Sequence, residues 1–203
     1  MLSHMPKLLL FDLGGVLIEV ATTELQLLGG KNKSDVELWE TWLTCPAVQL
    51  YEAGKISNDE FARGVLEAFS STIPPDEFLQ SFAAWPVGFY PGMTDLLVKL
   101  RRNFKLAYLS NSNPLHYPRF QREWQLNSYF DYHFASYKMG YVKPHAEIYQ
   151  AVLAALPYSA QEIFFVDDNR LNVEMARSLG IRAEIVRGPH ELQTVLSQNG
   201  FIA

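Results

Sequence analysis

Cysteine is almost absent from this 203-residue chain: Cys45 stands alone, so no disulfide can close within it. A chain without disulfides suits a reducing compartment, so a cytoplasmic location is expected, with Cys45 acting as a small buried hydrophobe. A surplus of positive charge is also missing. Lys plus Arg number 17 against 22 for Asp plus Glu, a formal charge of −5. That balance leaves no clustered cations for nucleic acid and none for an anionic membrane surface. Long hydrophobic runs are lacking too. The longest, Leu8 to Val20, is interrupted by Asp12 and Glu19 and is too short to span a bilayer. Met1–Met5 reads as a loose leader without the charged region and apolar stretch of an export signal. No internal repeat or low-complexity tract interrupts the chain. What is abundant is ordinary core material, 48% hydrophobic residues, enough for one large domain or one domain with an insertion.

Four short apolar runs are followed by amphipathic segments. The runs are Lys7–Phe11, Leu106–Leu109, Ile163–Val166 and Ala183–Val186. Runs this short and this rich in Leu, Ile, Phe and Val read as parallel strands buried on both faces. Between them lie helical stripes: Met93, Leu96, Leu97 and Leu100, then Ile148, Val152, Ala155 and Leu156, then Val173, Ala176 and Leu179. Gly180 stands where the third helix should stop. Alternating strand and helix predicts an α/β fold, an open parallel sheet with helices on both faces. Residues 21–87 break the rhythm. They hold helical stretches near Val36–Leu43, Asp59–Ala68 and Pro75–Phe82, with breaks at Gly29–Gly30 and Thr72–Pro75, and no strand-like run. The expected division is a core of residues 6–20 and 88–203 and a small inserted all-helical cap domain of residues 21–87.

Ligands of open parallel sheets bind outside the carboxyl ends of the strands. Here those ends read Phe11-Asp12-Leu13-Gly14-Gly15, Leu109-Ser110-Asn111-Ser112-Asn113 and Val166-Asp167-Asp168-Asn169, and Lys143-Pro144 precedes the second amphipathic helix. Phosphoryl transfer demands mainly positioning and cancellation of negative charge. Asp12, Asp167 and Asp168 at one sheet edge make a hard, oxygen-rich site suited to Mg²⁺ when a substrate phosphate completes the shell. Ser110 can donate a hydrogen bond to phosphate, Lys143 brings a fixed positive charge, and backbone amides after Asp12 can cradle the other oxygens. Each feature has a bland reading: Asp12 as a turn cap, Asp167-Asp168 as a helix cap, Ser110 as another cap, Lys143 as a solvated lysine. Their order and context carry the functional one.

Those four segments, in that order, resemble the haloacid dehalogenase (HAD) superfamily of phosphatases, from Phe11 to about Ile185. The opening Asp-Leu-Gly-Gly, Ser-Asn-Ser-Asn-Pro-Leu-His and Val-Asp-Asp-Asn look most like its alpha-glucose-1-phosphate phosphatase branch, with the phosphatase domain of soluble epoxide hydrolase more distant. The resemblance implies a Rossmann-like core with a C1-type cap. It implies Mg²⁺ as cofactor and a small phosphate ester, such as a sugar phosphate, as substrate. It makes Asp12 the nucleophile that becomes an aspartyl phosphate. Leu13, Gly14, Ser110 and Asn111 would hold the phosphate, and Lys143 would bridge phosphate and Asp12. Asp168 would bind the metal with Asp12 and the Gly14 backbone carbonyl, and Asp167 would be an outer or additional ligand.

One position departs from that pattern. Most of these phosphatases carry a second aspartate two residues after the nucleophile, on the same face of an extended chain. It protonates the leaving oxygen and later activates water. This chain has Gly14 there. General acid–base help is worth about 10²–10⁴-fold. Its loss weighs least on a sugar 1-phosphate, whose hemiacetal oxygen leaves more easily than an alkoxide, and predicts a steep dependence of rate on leaving-group acidity. His116, just beyond the Ser110 segment, is a candidate substitute acid, with a helix-start residue or a substrate hydrogen-bond donor as the favoured reading. Gly14 also opens a reading as a non-catalytic phosphate-binding module. Dehalogenation on the same fold would attack carbon without a metal and leave Asp167-Asp168 without purpose. Trp39, Trp42, Tyr51 and Trp85 are expected in the core of the inserted segment, and Tyr51-Glu52-Ala53-Gly54-Lys55-Ile56 in a turn with Gly54 as C-cap.

Overall fold

The computed structural model describes residues 5–21, 24–29 and 34–202. Gly30 and residues 1–4 of the expected leader lie outside the described residues. In chain order come β1 (Leu8–Phe11), β2 (Ile18–Val20), α1 (Glu24–Gly29), α2 (Asp35–Thr44), α3 (Pro46–Glu52), α4 (Asn58–Phe69), α5 (Pro75–Ala84) and β3 (Pro86–Phe89). There follow α6 (Met93–Leu100), β4 (Lys105–Ser110), α7 (His116–Arg122), β5 (Tyr132–Ala135), α8 (Ser136–Met139) and α9 (Ala146–Ala155). The chain closes with β6 (Ile163–Asp167), α10 (Arg170–Ser178), β7 (Arg182–Ile185) and α11 (Gly188–Gln198).

β1 is the centre of a five-stranded parallel sheet of order β5-β4-β1-β6-β7. Its four residues are at most 1% exposed, which only a strand covered on both faces can be. Leu9 and Phe11 pack on one side with Met93, Leu97, Phe120, Leu192 and Leu196. Leu8 and Leu10 pack on the other with Ile148, Val152, Val173 and Ala176. The three expected helical stripes thus become α6, α9 and α10, and the doubly covered α/β sheet is as read from the sequence. From β1 the chain builds outward through β4 and β5, then returns to the far side of β1 for β6 and β7. The switch opens a crevice at the carboxyl ends of β1, β4 and β6.

The helices α1–α5 gather around a hydrophobic cluster of their own, with Trp42, Tyr51, Phe61, Phe78, Phe82 and Trp85 at its heart. Tyr51 and Phe61 stack at 4.1 Å between centroids, and Trp42 lies 4.8 Å from Trp85. Cys45 is buried there, at the N-cap of α3. Ser57 caps α4 in a reciprocal box with Glu60. Both connections to these helices run through a small antiparallel ribbon, β2 with β3. The expected boundary after residue 87 falls inside β3, and the segment is not free of strand. Pro86 and Gly88 are poor strand formers, and the pairing is irregular between Glu19 and Val20, so the ribbon leaves little trace in residue pattern.

Candidate active site

Three strand ends deliver the site. Asp12 follows β1 and is fixed by its backbone N–H, which donates to the Val166 carbonyl at 2.8 Å. Ser110 ends β4, and Asp167 ends β6 with Asp168 next to it. Asp12, Ser110, Lys143 and Asp167 are all buried. The Lys143 ammonium donates to Asp12 Oδ1 at 2.7 Å and to Asp167 Oδ2 at 2.6 Å. Burial alone would strip its charge; the carboxylates of Asp12 and Asp167 overcome that and hold its pKa above the ordinary lysine value.

The remaining oxygen of Asp167 accepts from the Asn169 backbone N–H at 2.9 Å and from Asn172 Nδ2 at 2.8 Å. Asp167 therefore anchors Lys143 with a carboxylate whose two oxygens are both engaged. Asn111 differs from its expected role in a similar way. Its side chain is clamped on the Lys143 backbone, donating to the carbonyl at 3.1 Å and accepting from the N–H at 2.9 Å. That makes the Asn111 side-chain amide a brace for the lysine loop.

Acidic crowding is the dominant electrostatic feature. One ligand atom from each of Asp12, Asp167 and Asp168 lies within 4.8 Å of the others. Burial, with the neighbouring Asp167 and Asp168, pushes the Asp12 carboxyl up against the pull of Lys143. Burial and Asp167 push Asp168 up to about 6. Three carboxylates share one ammonium, and a hard divalent cation among them would relieve the repulsion. The oxygen donor set fits Mg²⁺. Gly15 permits the approach: its φ is +71°, and a Cβ there would stand 2.5 Å from Asp168 Oδ2. At Gly14 a Cβ would make only an ordinary 3.4 Å contact with Val20, so sterics do not demand glycine at that position.

His116 lies in the cavity wall but turns both ring nitrogens inward. Nε2 sits 2.7 Å from the Phe82 carbonyl and Nδ1 3.0 Å from Asn113 Nδ2. A neutral ring satisfies both contacts, donating to Phe82 and accepting from Asn113. Burial lowers its pKa to about 4. The substitute-acid role and a substrate contact through the ring nitrogens are therefore withdrawn, because no ring nitrogen faces the substrate space.

A cavity of about 440 Å³ joins this site to the helical layer. Leu13, Gly14, Ser110, Lys143 and Asp168 line its floor, and Trp39, Trp42, Gln49, Glu52 and Trp85 its far wall. Glu52, the last residue of α3, is the acid that sequence reading left in a turn. It is partly buried, and burial pushes it up to about 7, opposed by Lys143 and a hydrogen bond with the Asn111 side chain. Its only sequence signal was an acid one residue from the Ala53-Gly54 turn, common on any surface. The tryptophans serve both as packing and as cavity wall.

An open parallel sheet with a carboxylate, a lysine and an acidic cluster at its switch point defines a hydrolase-type site. The chain belongs to the haloacid dehalogenase-like hydrolase family, which it matches over residues 6–180. It is 29% identical over 189 residues to a D-ribitol-5-phosphate phosphatase of Bacteroides thetaiotaomicron, covering 87% of this chain and 89% of that protein. It is 31% identical over 186 residues to a sesquiterpene phosphatase of Aspergillus oryzae, covering 86% and 87%. A solved HAD family enzyme of Bacteroides thetaiotaomicron in complex with magnesium and inorganic phosphate superposes with a TM-score of 0.73 at 28% identity, covering 90% of this chain and 94% of that one.

Proposed function

We propose that the chain is a magnesium-dependent phosphatase that hydrolyses a small phosphorylated metabolite through an aspartyl phosphate on Asp12. The observation that carries this reading is the buried Asp12–Lys143–Asp167 chain, with Asp168 beside it at the sheet's switch point. Asp12 is the nucleophile. The 2.7 Å contact with a charged ammonium orients it and favours its carboxylate form against the burial that pushes it up. Lys143 also reaches the phosphate, the Ser110 hydroxyl turns to it from the Asn111 carbonyl it now donates to at 3.3 Å, and the backbone amides from Leu13 onward cradle its oxygens. Asp12, Asp168 and the Gly14 carbonyl would hold Mg²⁺, with Asp167 beside them; when bound it would supply the positive charge that lets a carboxylate approach a phosphate dianion.

The helices of residues 21–87 act as the cap that closes the cavity and selects the substrate. Sugar phosphates, glucose 1-phosphate among them, suit a wall that mixes Gln49 and Glu52 with Trp39, Trp42 and Trp85. A D-ribitol-5-phosphate phosphatase and a sesquiterpene phosphatase are both relatives. Their substrates share little beyond a phosphate, which supports assigning chemistry to the core and selection to the cap. The lone, buried Cys45 supports work in the cytoplasm.

The alternative, a phosphate-binding module without turnover, draws on Gly14. Hydrolysis of p-nitrophenyl phosphate decides between them. The enzyme reading expects turnover that needs Mg²⁺, stops with chelator and vanishes in Asp12→Asn. No turnover across a broad panel of phosphate esters would leave the binding module.

A further inference from the structure

If the site is that of a phosphatase, the ester oxygen that leaves needs a proton, and the buried titratable groups of the core wall are already engaged. Lys143 keeps its proton between Asp12 and Asp167. Asp167 has both oxygens engaged. His116 turns its ring nitrogens to Phe82 and Asn113. Position 14 carries no side chain. Across the cavity, the helical layer presents one carboxyl among the described lining residues: Glu52.

We propose that Glu52 is the general acid–base of this enzyme, supplied by α3 from the opposite wall of the cavity. In the first step an Asp12 carboxylate oxygen bonds to phosphorus as the bond from phosphorus to the ester oxygen breaks. The leaving oxygen takes that electron pair and the Glu52 proton and departs as an alcohol. In the second step water bonds to phosphorus and gives its proton to the Glu52 carboxylate. The bond between phosphorus and Asp12 breaks with its electrons returning to Asp12, which restores both side chains and releases inorganic phosphate.

Geometry supports the assignment. Glu52 is tied to the core by its backbone. Ser136 Oγ, on α8 and fully buried, donates to the Glu52 carbonyl at 2.6 Å. The same hydroxyl oxygen accepts the Ser112 backbone N–H at 2.9 Å, two residues beyond Ser110. The acid is thereby indexed to the loop that carries the phosphate-binding serine. Gly54, at φ +67°, lets the turn after α3 lie against the Tyr137 carbonyl, which any Cβ there would strike. Asn111, which braces the backbone of Lys143, lines the same cavity as Glu52. A carboxyl pushed up to about 7 by burial is poised between its acid and base forms at neutral pH, and an arriving phosphate dianion shifts it toward the acid by like-charge repulsion.

The test compares kcat/KM of wild type, Glu52→Gln and Glu52→Asp on phosphate esters from p-nitrophenyl phosphate to alkyl and sugar phosphates. The wild type should depend only weakly on leaving-group acidity, against the steep dependence that Gly14 alone predicts. Glu52→Gln should lose roughly 10²–10⁴-fold on alkyl esters, lose less than about tenfold on p-nitrophenyl phosphate in the bond-breaking step, and accumulate phosphoenzyme. Glu52→Asp should recover part of the loss. Wild-type turnover combined with an equal loss on every ester, or with no loss, overturns the role of Glu52 alone. No wild-type turnover on any ester overturns the phosphatase reading as well. Selective loss in His145→Ala, the exposed histidine at the cavity's edge, with Glu52→Gln unaffected would move the role there.

Discussion

The two walls of the cavity are built by different physics. The sheet wall is polar and pre-stressed: buried carboxylates crowd one ammonium, and each hydrogen bond fixes the next group in line. The helical wall is aromatic, with Trp42, Phe61, Phe82 and Trp85 packed ring on ring. Charge placed with such care is expensive to bury and is retained where chemistry needs it. Aromatic packing tolerates volume-conserving change, so under the proposed cap role substrate preference would be set there and the chemistry in the sheet wall. Substitutions in each wall should therefore fail in different ways.

Asp12→Asn should give the largest effect, a loss of at least ~10³-fold in kcat with the fold intact, read by steady-state kinetics beside a thermal melt. Lys143→Met should abolish activity and also destabilise, because it leaves Asp12 and Asp167 buried without their cation; about 3–5 kcal/mol is expected from urea titration. Phe61→Ala, fully buried in the helical layer, should lower stability by a comparable ~3–5 kcal/mol while the folded fraction retains Mg²⁺-dependent turnover of p-nitrophenyl phosphate. Loss of turnover in that folded fraction would dissolve the contrast between the walls.

A smaller effect comes from His116, which joins them. Its pKa is lowered to about 4 in the folded protein, against an ordinary value near 6.5, a difference worth roughly 3 kcal/mol. As pH falls below about 6.5 the unfolded chain takes up this proton first. Stability is then lost down to pH 4 and levels off below it. His116→Gln should remove that slope, visible as a narrowing gap between the two stability curves on acidification. Smallest is Ser57→Ala, which breaks the α4 capping box for about 1 kcal/mol.

Much of the sheet wall was legible in sequence because buried parallel strands write themselves as continuous apolar runs. Leu8–Phe11 and Ile163–Val166 did so, and the polar residues that interrupt them fall at the crevice. The fine roles were not legible. That Asn111 braces Lys143, or that His116 faces Phe82, depends on side-chain directions set by elements far apart in sequence. The helical wall was harder. The short helix α3 begins at Pro46, with Cys45 as its cap. The ribbon of β2 and β3 contains Pro86 and Gly88, so neither carries a clean period. Glu52 escaped for the same reason: what distinguishes it is the Ser136 hydroxyl, 84 residues away.

The central claim is that Asp12 takes the phosphoryl group. Acid-quenching the enzyme during Mg²⁺-dependent turnover and mapping its peptides by mass spectrometry tests this directly. The account predicts a phosphoryl adduct on Asp12, absent from Asp12→Asn. An adduct on Ser110, or undiminished turnover by Asp12→Asn, would contradict it.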